Sequence, residues 1–182
     1  MRVGFEWGPL LWTVLHTMAE WSDRKDIVYR WKRVLELTAV TIPCELCRKH
    51  MQDYLRSHSL FIRPPDTTPA AIVYRGRHPP RGVVPPTIKG WTPAKGIDVK
   101  QAIRKGLWKF HNHVNASISS PELTEEEAYA LYKSDSRSVG GAIIREALGK
   151  IDLLWKPHAR PSYKEWHIEL LALLALIESG PF

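Results

Sequence analysis

Apolar positions recur at three- and four-residue spacing through most of the chain, the mark of helices with one buried face. Leu11, Val14, Leu15 and Met18 form such a stripe and predict a first helix over 9–21. Ser22 and Asp23 end it and offer caps for the next helix. A second helix, over 25–38, turns Ile27, Trp31, Val34, Leu35 and Thr38 inward. A third follows the two cysteines over 48–55 and sets Cys47, Met51, Tyr54 and Leu55 on related faces. Asp98 suits the N-cap of a fourth helix over 99–117, which Gly106 weakens by about 1 kcal/mol relative to alanine. Thr124 and Glu127 make a capping box for a fifth helix that ends near Lys133. Ser138-Val139-Gly140-Gly141 breaks the pattern, and a sixth helix follows over 142–155, ended by Pro157 and Pro161. A second capping box, Ser162 with Glu165, opens a last helix through 178. Its apolar face is Trp166, Leu170, Leu173, Leu174 and Ile177, and packing on the body is its expected use.

The pattern lapses between 56 and 97. Eight of the fourteen prolines lie there, including Pro64-Pro65, Pro79-Pro80 and Pro85-Pro86, so regular helix is excluded over most of it. Ile72-Val73-Tyr74 and Val83-Val84 allow a small irregular hairpin. Strand signals are otherwise nearly absent, and the expected class is all-α. The same stretch holds seven Lys/Arg and one acid, Asp66, a surplus of +6 against +7 for the whole chain. The basic character therefore belongs to one long loop, whose default reading is a solvated surface.

Composition adds bounds. The 182 residues suffice for one domain with a real core. A net charge of +7 suits an acidic partner, nucleic acid or an anionic cofactor without choosing among them. Two cysteines three positions apart close too small a loop to staple a fold, so a disulfide-dependent secreted scaffold is excluded. Residues 1–12 lack the basic-then-apolar pattern of a signal peptide. The most apolar segment, 170–177, falls far below the roughly 20 residues that span a bilayer. The expectation is a soluble, cytoplasmic protein.

Three constellations can carry chemistry. The first is Cys44-Glu45-Leu46-Cys47. At a helix N-terminus free N–H groups and the macrodipole stabilise a thiolate, which suits a redox dithiol. Half of a zinc site, extended by His50 and completed by His58 or His78, is an alternative, and so are two cysteines of no consequence. The second is Trp7-Gly8-Pro9 with Trp12 and His16, four apart on one helical face. They suit stacking on a flat heterocycle, or simply a core tryptophan and a core histidine. The third is Trp108 to Asn115, in which His111 and Asn115 share a face and can hydrogen-bond an adenine edge, a ribose or a phosphate. Asn115 also suits a helix stop.

In this order the three sets resemble the Erv/ALR family of FAD-linked sulfhydryl oxidases. The resemblance is carried by Trp7-Gly8-Pro9-Leu10-Leu11-Trp12-Thr13-Val14-Leu15-His16, by Pro43-Cys44-Glu45-Leu46-Cys47-Arg48-Lys49-His50 and by Phe110-His111-Asn112-His113-Val114-Asn115. It covers 7–54 and 99–133. It implies a four-helix bundle with a short fifth helix that holds FAD, residues 1–137 being an oxidase-like domain with a Pro-rich basic insertion over 56–97, and 138–182 a C-terminal helical extension. It implies that Cys44 and Cys47 are catalytic. Gly8, Pro9, Trp12, His16, Cys47, His111, Asn112, Val114, Asn115 and Tyr132 would contact the cofactor.

The implied activity is thiol oxidation. A substrate thiolate attacks Cys44, a second substrate thiol resolves the mixed disulfide, and Cys47 passes electrons to FAD and on to dioxygen, giving hydrogen peroxide. The implied partners are a thiol-containing protein or a thioredoxin-like carrier, and a second copy in a homodimer; neither nucleic acid nor a membrane is expected. Such small members occur in organelles and in large DNA viruses, and a virus-encoded or cytoplasmic enzyme fits best here. The chain departs from the family in having no shuttle cysteines and in placing Ala116 and Ser117 where basic residues usually meet the FAD phosphates. Phosphate contacts are then expected from Lys105 or the arginines of the loop. The rival readings are a zinc-binding structural module and a non-enzymatic assembly protein that keeps the oxidase fold.

Overall fold

The structure, a computed structural model, describes residues 6–58 and 98–180. The hairpin expected over 72–84, His78 and the basic loop lie outside the described residues. Those described form an all-α protein, with no strand among them. Seven α-helices run in the order α1 (Trp7–Glu20), α2 (Val28–Thr41), α3 (Glu45–Ser57), α4 (Val99–Ser117), α5 (Glu125–Leu131), α6 (Arg137–Trp155) and α7 (Tyr163–Ser179). Short 3₁₀ turns precede α2 at Lys25–Ile27 and follow α6 at Lys156–His158.

The inward stripes read from periodicity are the buried ones. Leu11, Val14, Leu15 and Met18 of α1 are buried, as are Ile27, Trp31, Val34, Leu35 and Thr38 around α2. Trp166, Leu170, Leu173, Leu174 and Ile177 of α7 join the same core. Each such side chain removed from water stabilises the fold by about 1.5–3 kcal/mol before entropy is counted. α1 packs on α6 and α4, α2 packs on α7 and α3, and α6 pairs with α7. A tryptophan cluster sits at the centre. Trp155 meets Trp7 edge-on at 5.6 Å and Trp166 at 4.8 Å, and Trp166 Nε1 donates to Thr38 Oγ1 at 3.0 Å. Residues beyond 137 thus build the core together with α1 and α2, and the 137/138 division falls in the first turn of α6.

Three local expectations are corrected. Gly140 and Gly141 do not break the helix; α6 starts at Arg137, capped by Ser136 Oγ, and runs through both. The reason is close approach: a Cβ at Gly140 would stand 2.8 Å from both Ser134 Oγ and Trp21 Nε1. Ser162 and Glu165 form no capping box on α7. Ser162 Oγ bonds Thr41 Oγ1 at 2.8 Å instead, and Glu165 pairs with Arg33 of α2. Ser22 and Asp23 cap no helix either. Ser22 Oγ donates to the Met18 carbonyl and accepts from Trp31 Nε1, while Asp23 pairs with Arg137. For Ser162, Glu165 and Asp23 a partner more than a hundred residues away outcompetes the local bond. The capping box at Thr124 and Glu127 and the Asp98 N-cap are present as read.

Candidate functional site

Helix α2 stops because Pro43 disfavours helical geometry in the residue before it, and Ile42 is extended at φ −51°, ψ 134°. Two residues later Cys44 is the N-cap of α3, and its Sγ accepts a hydrogen bond from Cys47 N–H at 3.1 Å. Sulfur as cap and Glu45 in the first turn start the helix at Glu45, three residues earlier than the 48–55 reading. Cys44 and Cys47 form a disulfide. Both are half-buried against the core. Arg48 braces this corner: its Nη1 donates to the carbonyls of Ile42 at 2.6 Å and Pro43 at 3.0 Å. Gln52 Nε2 ties α3 back to the Ala39 carbonyl at 2.9 Å.

From Cys47, Met51 and Tyr54 follow at i+4 and i+7, on one face of α3. Tyr54 stacks on Phe110 of α4 at 4.7 Å. Phe110 meets Trp12 edge-on at 5.4 Å, and Trp12 stacks on His111 at 4.1 Å and 13°. His111 Nδ1 and His16 Nε2 lie 3.1 Å apart, and His16 stacks on Tyr132 at 4.4 Å and 7°. One run of rings therefore joins α3, α4, α1 and the end of α5, and sets Trp12 and His16 of the second constellation against Phe110 and His111 of the third, with Cys47 two turns from Tyr54 along α3. Burial, with His111 alongside, pushes His16 down to about 3, and burial pushes His111 down to about 4. At neutral pH the two imidazoles are uncharged, and one N–H is shared between them. Burial raises Tyr132 to about 12, so it stays a phenol.

The asparagines are anchored to the loop between α4 and α5. Asn112 donates from Nδ2 to the Leu123 carbonyl at 2.7 Å and accepts at Oδ1 from Leu123 N–H at 2.9 Å. Trp108 Nε1 reaches the same carbonyl at 2.8 Å. Asn115 Nδ2 donates to the Pro121 carbonyl at 3.1 Å, and α4 continues past it to Ser117. A groove of about 410 Å³ opens beside this loop, lined by Tyr54, His58, Trp108, Lys109, Asn112 and His113 among others. Gly8 and Pro9 sit in the first turn of α1, ahead of Trp12, and a Cβ at Gly8 would meet nothing within 4 Å. Val114 is half-buried against the core on α4.

Sequence reasoning missed Arg48 as a brace and Tyr54 as the link between the disulfide and the ring cluster. The i+7 spacing of Tyr54 from Cys47 was the available signal; the carbonyls that Arg48 holds leave none in the sequence. His50 is exposed and His58 stacks on Tyr54 at 4.1 Å. Among the described residues no three His, Cys, Asp or Glu side chains are placed to hold a metal ion. Among them, too, no helix is long and apolar enough to cross a membrane. Compared with protein-family models, with curated proteins and with solved structures, the chain matches none.

Proposed function

We propose that this protein is an FAD-linked thiol oxidase that makes disulfides in other proteins. The observation that carries the reading is the Cys44–Cys47 disulfide at the N-terminus of α3, the helix whose Tyr54, two turns on, stacks on Phe110 beside Trp12 and His111. A substrate thiolate attacks Cys44 Sγ; a bond forms between the two sulfurs, the Cys44–Cys47 bond breaks, and Cys47 leaves as thiolate. A second substrate thiolate then attacks the substrate sulfur of the mixed disulfide and releases Cys44. The hydrogen bond from Cys47 N–H and the helix dipole stabilise the Cys44 thiolate and favour that release.

The groove beside Asn112 supports an FAD reading through its aromatic lining and Lys109. Trp12 and His111 stack at 4.1 Å, which leaves no room for a ring between them, and the cluster meets the groove only through Tyr54. The 410 Å³ groove is in the range of small-molecule sites, and Tyr54, Trp108 and His113 offer aromatic surface for a flat heterocycle. Lys109 at its edge suits a phosphate. When bound, FAD accepts the electron pair of the reduced dithiol and delivers it to dioxygen. With both ends of its amide engaged, Asn112 shapes the groove through Leu123. A cytoplasmic setting, a virus-encoded origin, a thioredoxin-like carrier and a homodimer belong to the same proposal.

Purified protein is expected to be yellow and to consume oxygen with dithiothreitol. Cys47→Ser is expected to keep the flavin and lose its reduction by thiols. Colourless protein that releases zinc on acidification would overturn the oxidase reading. Yellow protein that consumes no oxygen would favour the assembly protein instead.

A further inference from the structure

The turn between α6 and α7 docks beside Cys44. Arg160 Nε donates to the Val40 carbonyl at 2.9 Å, and Ser162 Oγ bonds Thr41 Oγ1 at 2.8 Å. Val40 lies only four positions before Cys44, a reach of at most about 14 Å. From Leu153 to Lys164 the chain carries Lys156, His158, Arg160 and Lys164 and no acid. Lys156, Arg160 and Lys164 are exposed, and none forms an ion pair with the described residues. The acids that flank the turn are already engaged: Glu165 pairs with Arg33, and Asp152 accepts from Tyr163 and lies 3.3 Å from His167. Val40, on the turn's side of Cys44, is 39% exposed, and Leu46, past Cys44 on α3, is 61% exposed. Lys49 and His50 are exposed on the next turn, with Glu45 the acid nearest the sulfur.

We propose that the α6–α7 turn and the start of α3 together form the substrate-docking face of Cys44, and that its occupant is an acidic, thiol-bearing polypeptide segment. The inference rests on the exchange role proposed for Cys44. Acidic side chains of the segment meet Lys156, Arg160 and Lys164, and an apolar side chain next to its cysteine covers Val40 and Leu46. Apolar surface on both sides of the sulfur favours a polypeptide over a nucleic acid, for which a phosphate-binding face would carry cations alone. The C-terminal helices then serve the reaction as well as the core: they carry a cationic turn to a sulfur more than a hundred residues away in the chain.

The test follows one sulfur exchange and needs neither flavin nor oxygen. In full-length Cys47→Ser protein, Cys44 thiolate attacks a peptide cysteine held as a mixed disulfide with thionitrobenzoate. The Cys44–peptide bond forms, the peptide–thionitrobenzoate bond breaks, and the coloured thiolate released gives the rate. An acidic peptide with one leucine beside its cysteine is expected to react about tenfold faster than its Asn/Gln counterpart at low salt. The gap is expected to close at molar salt, where the Debye length falls to about 3 Å. Lys156→Glu/Lys164→Glu is expected to erase the preference, while Lys32→Glu/Lys133→Glu, with the same net charge and both residues exposed, retains it. Equal rates for the two peptides, or equal loss in both double variants, would overturn the proposal. So would a single-stranded oligonucleotide that blocks the reaction at concentrations where the acidic peptide without its cysteine does not. Oxygen consumption with dithiothreitol is read separately, so a failed oxidase reading and a failed docking face give different results.

Discussion

His16 and His111 show how one buried pair sets a pH response of the fold. Both are buried, and both are held well below the ordinary imidazole value of 6.5, at about 3 and about 4. The unfolded chain binds protons on these groups below about pH 6.5, and the folded chain does not. Stability therefore falls as pH drops from 6.5 towards 4, by up to about 1.4 kcal/mol per pH unit for each histidine. Thermal unfolding is expected to be flat from pH 7 to 8 and to shift steadily lower between pH 6 and 4.5. His111→Phe keeps a ring against Trp12 and removes its own titration, so its melting temperature is expected to vary less over that window. An unchanged slope would mean that the pair is not the source. The sequence marked both histidines as site residues, but their contact joins positions 95 apart, which no local pattern encodes.

For the elements, the glycines of α6 separate local propensity from packing. All three sit in one helix, and glycine costs a helix interior about 1 kcal/mol relative to alanine wherever space is open. Around Gly149 it is open, with nothing within 4 Å of an added Cβ. Gly149→Ala is expected to stabilise by about 0.5–1 kcal/mol. At Gly140 an added Cβ meets the Trp21 ring and Ser134 Oγ, which are bound to each other through Trp21 Nε1 at 2.7 Å. Gly140→Ala is expected to destabilise by about 1–3 kcal/mol despite its better propensity. Denaturant melts of the two variants check the opposite signs. The same competition explains why the serines at 22 and 162 cap nothing while Thr124 does. Ser22 and Ser162 lie where other helices pass, whereas Thr124 is exposed and has only its own helix to bond.

In the whole molecule, the C-terminal helices are part of the fold that holds the candidate site. α6 lies along α1, which carries Trp12 and His16, and α7 lies along α2, which leads into the disulfide. Trp166 joins them, fully buried and donating to Thr38 Oγ1. Trp166→Ala is expected to cost about 3–5 kcal/mol and to loosen α2. A lower denaturation midpoint, together with faster reduction of the Cys44–Cys47 disulfide by dithiothreitol, would report that link. A drop in midpoint with an unchanged reduction rate would separate the core from the site. The Arg30–Glu169 pair at 3.0 Å, buried at its carboxylate, also ties α7 to α2.

The helical class, the inward stripes and the placing of the cysteine pair at a helix N-terminus were legible in the chain alone, because each depends on neighbours within two turns. Periodicity says which face of a helix is buried and not what covers it. That the rings of α1, α3, α4 and the end of α5 meet, that two glycines mark a close crossing, and that the turn before the last helix reaches back to Val40 and Thr41 are all contacts between distant segments. Their strength comes from burial and from hydrogen bonds that exist only once those segments are packed together, and so the tertiary structure alone settled them.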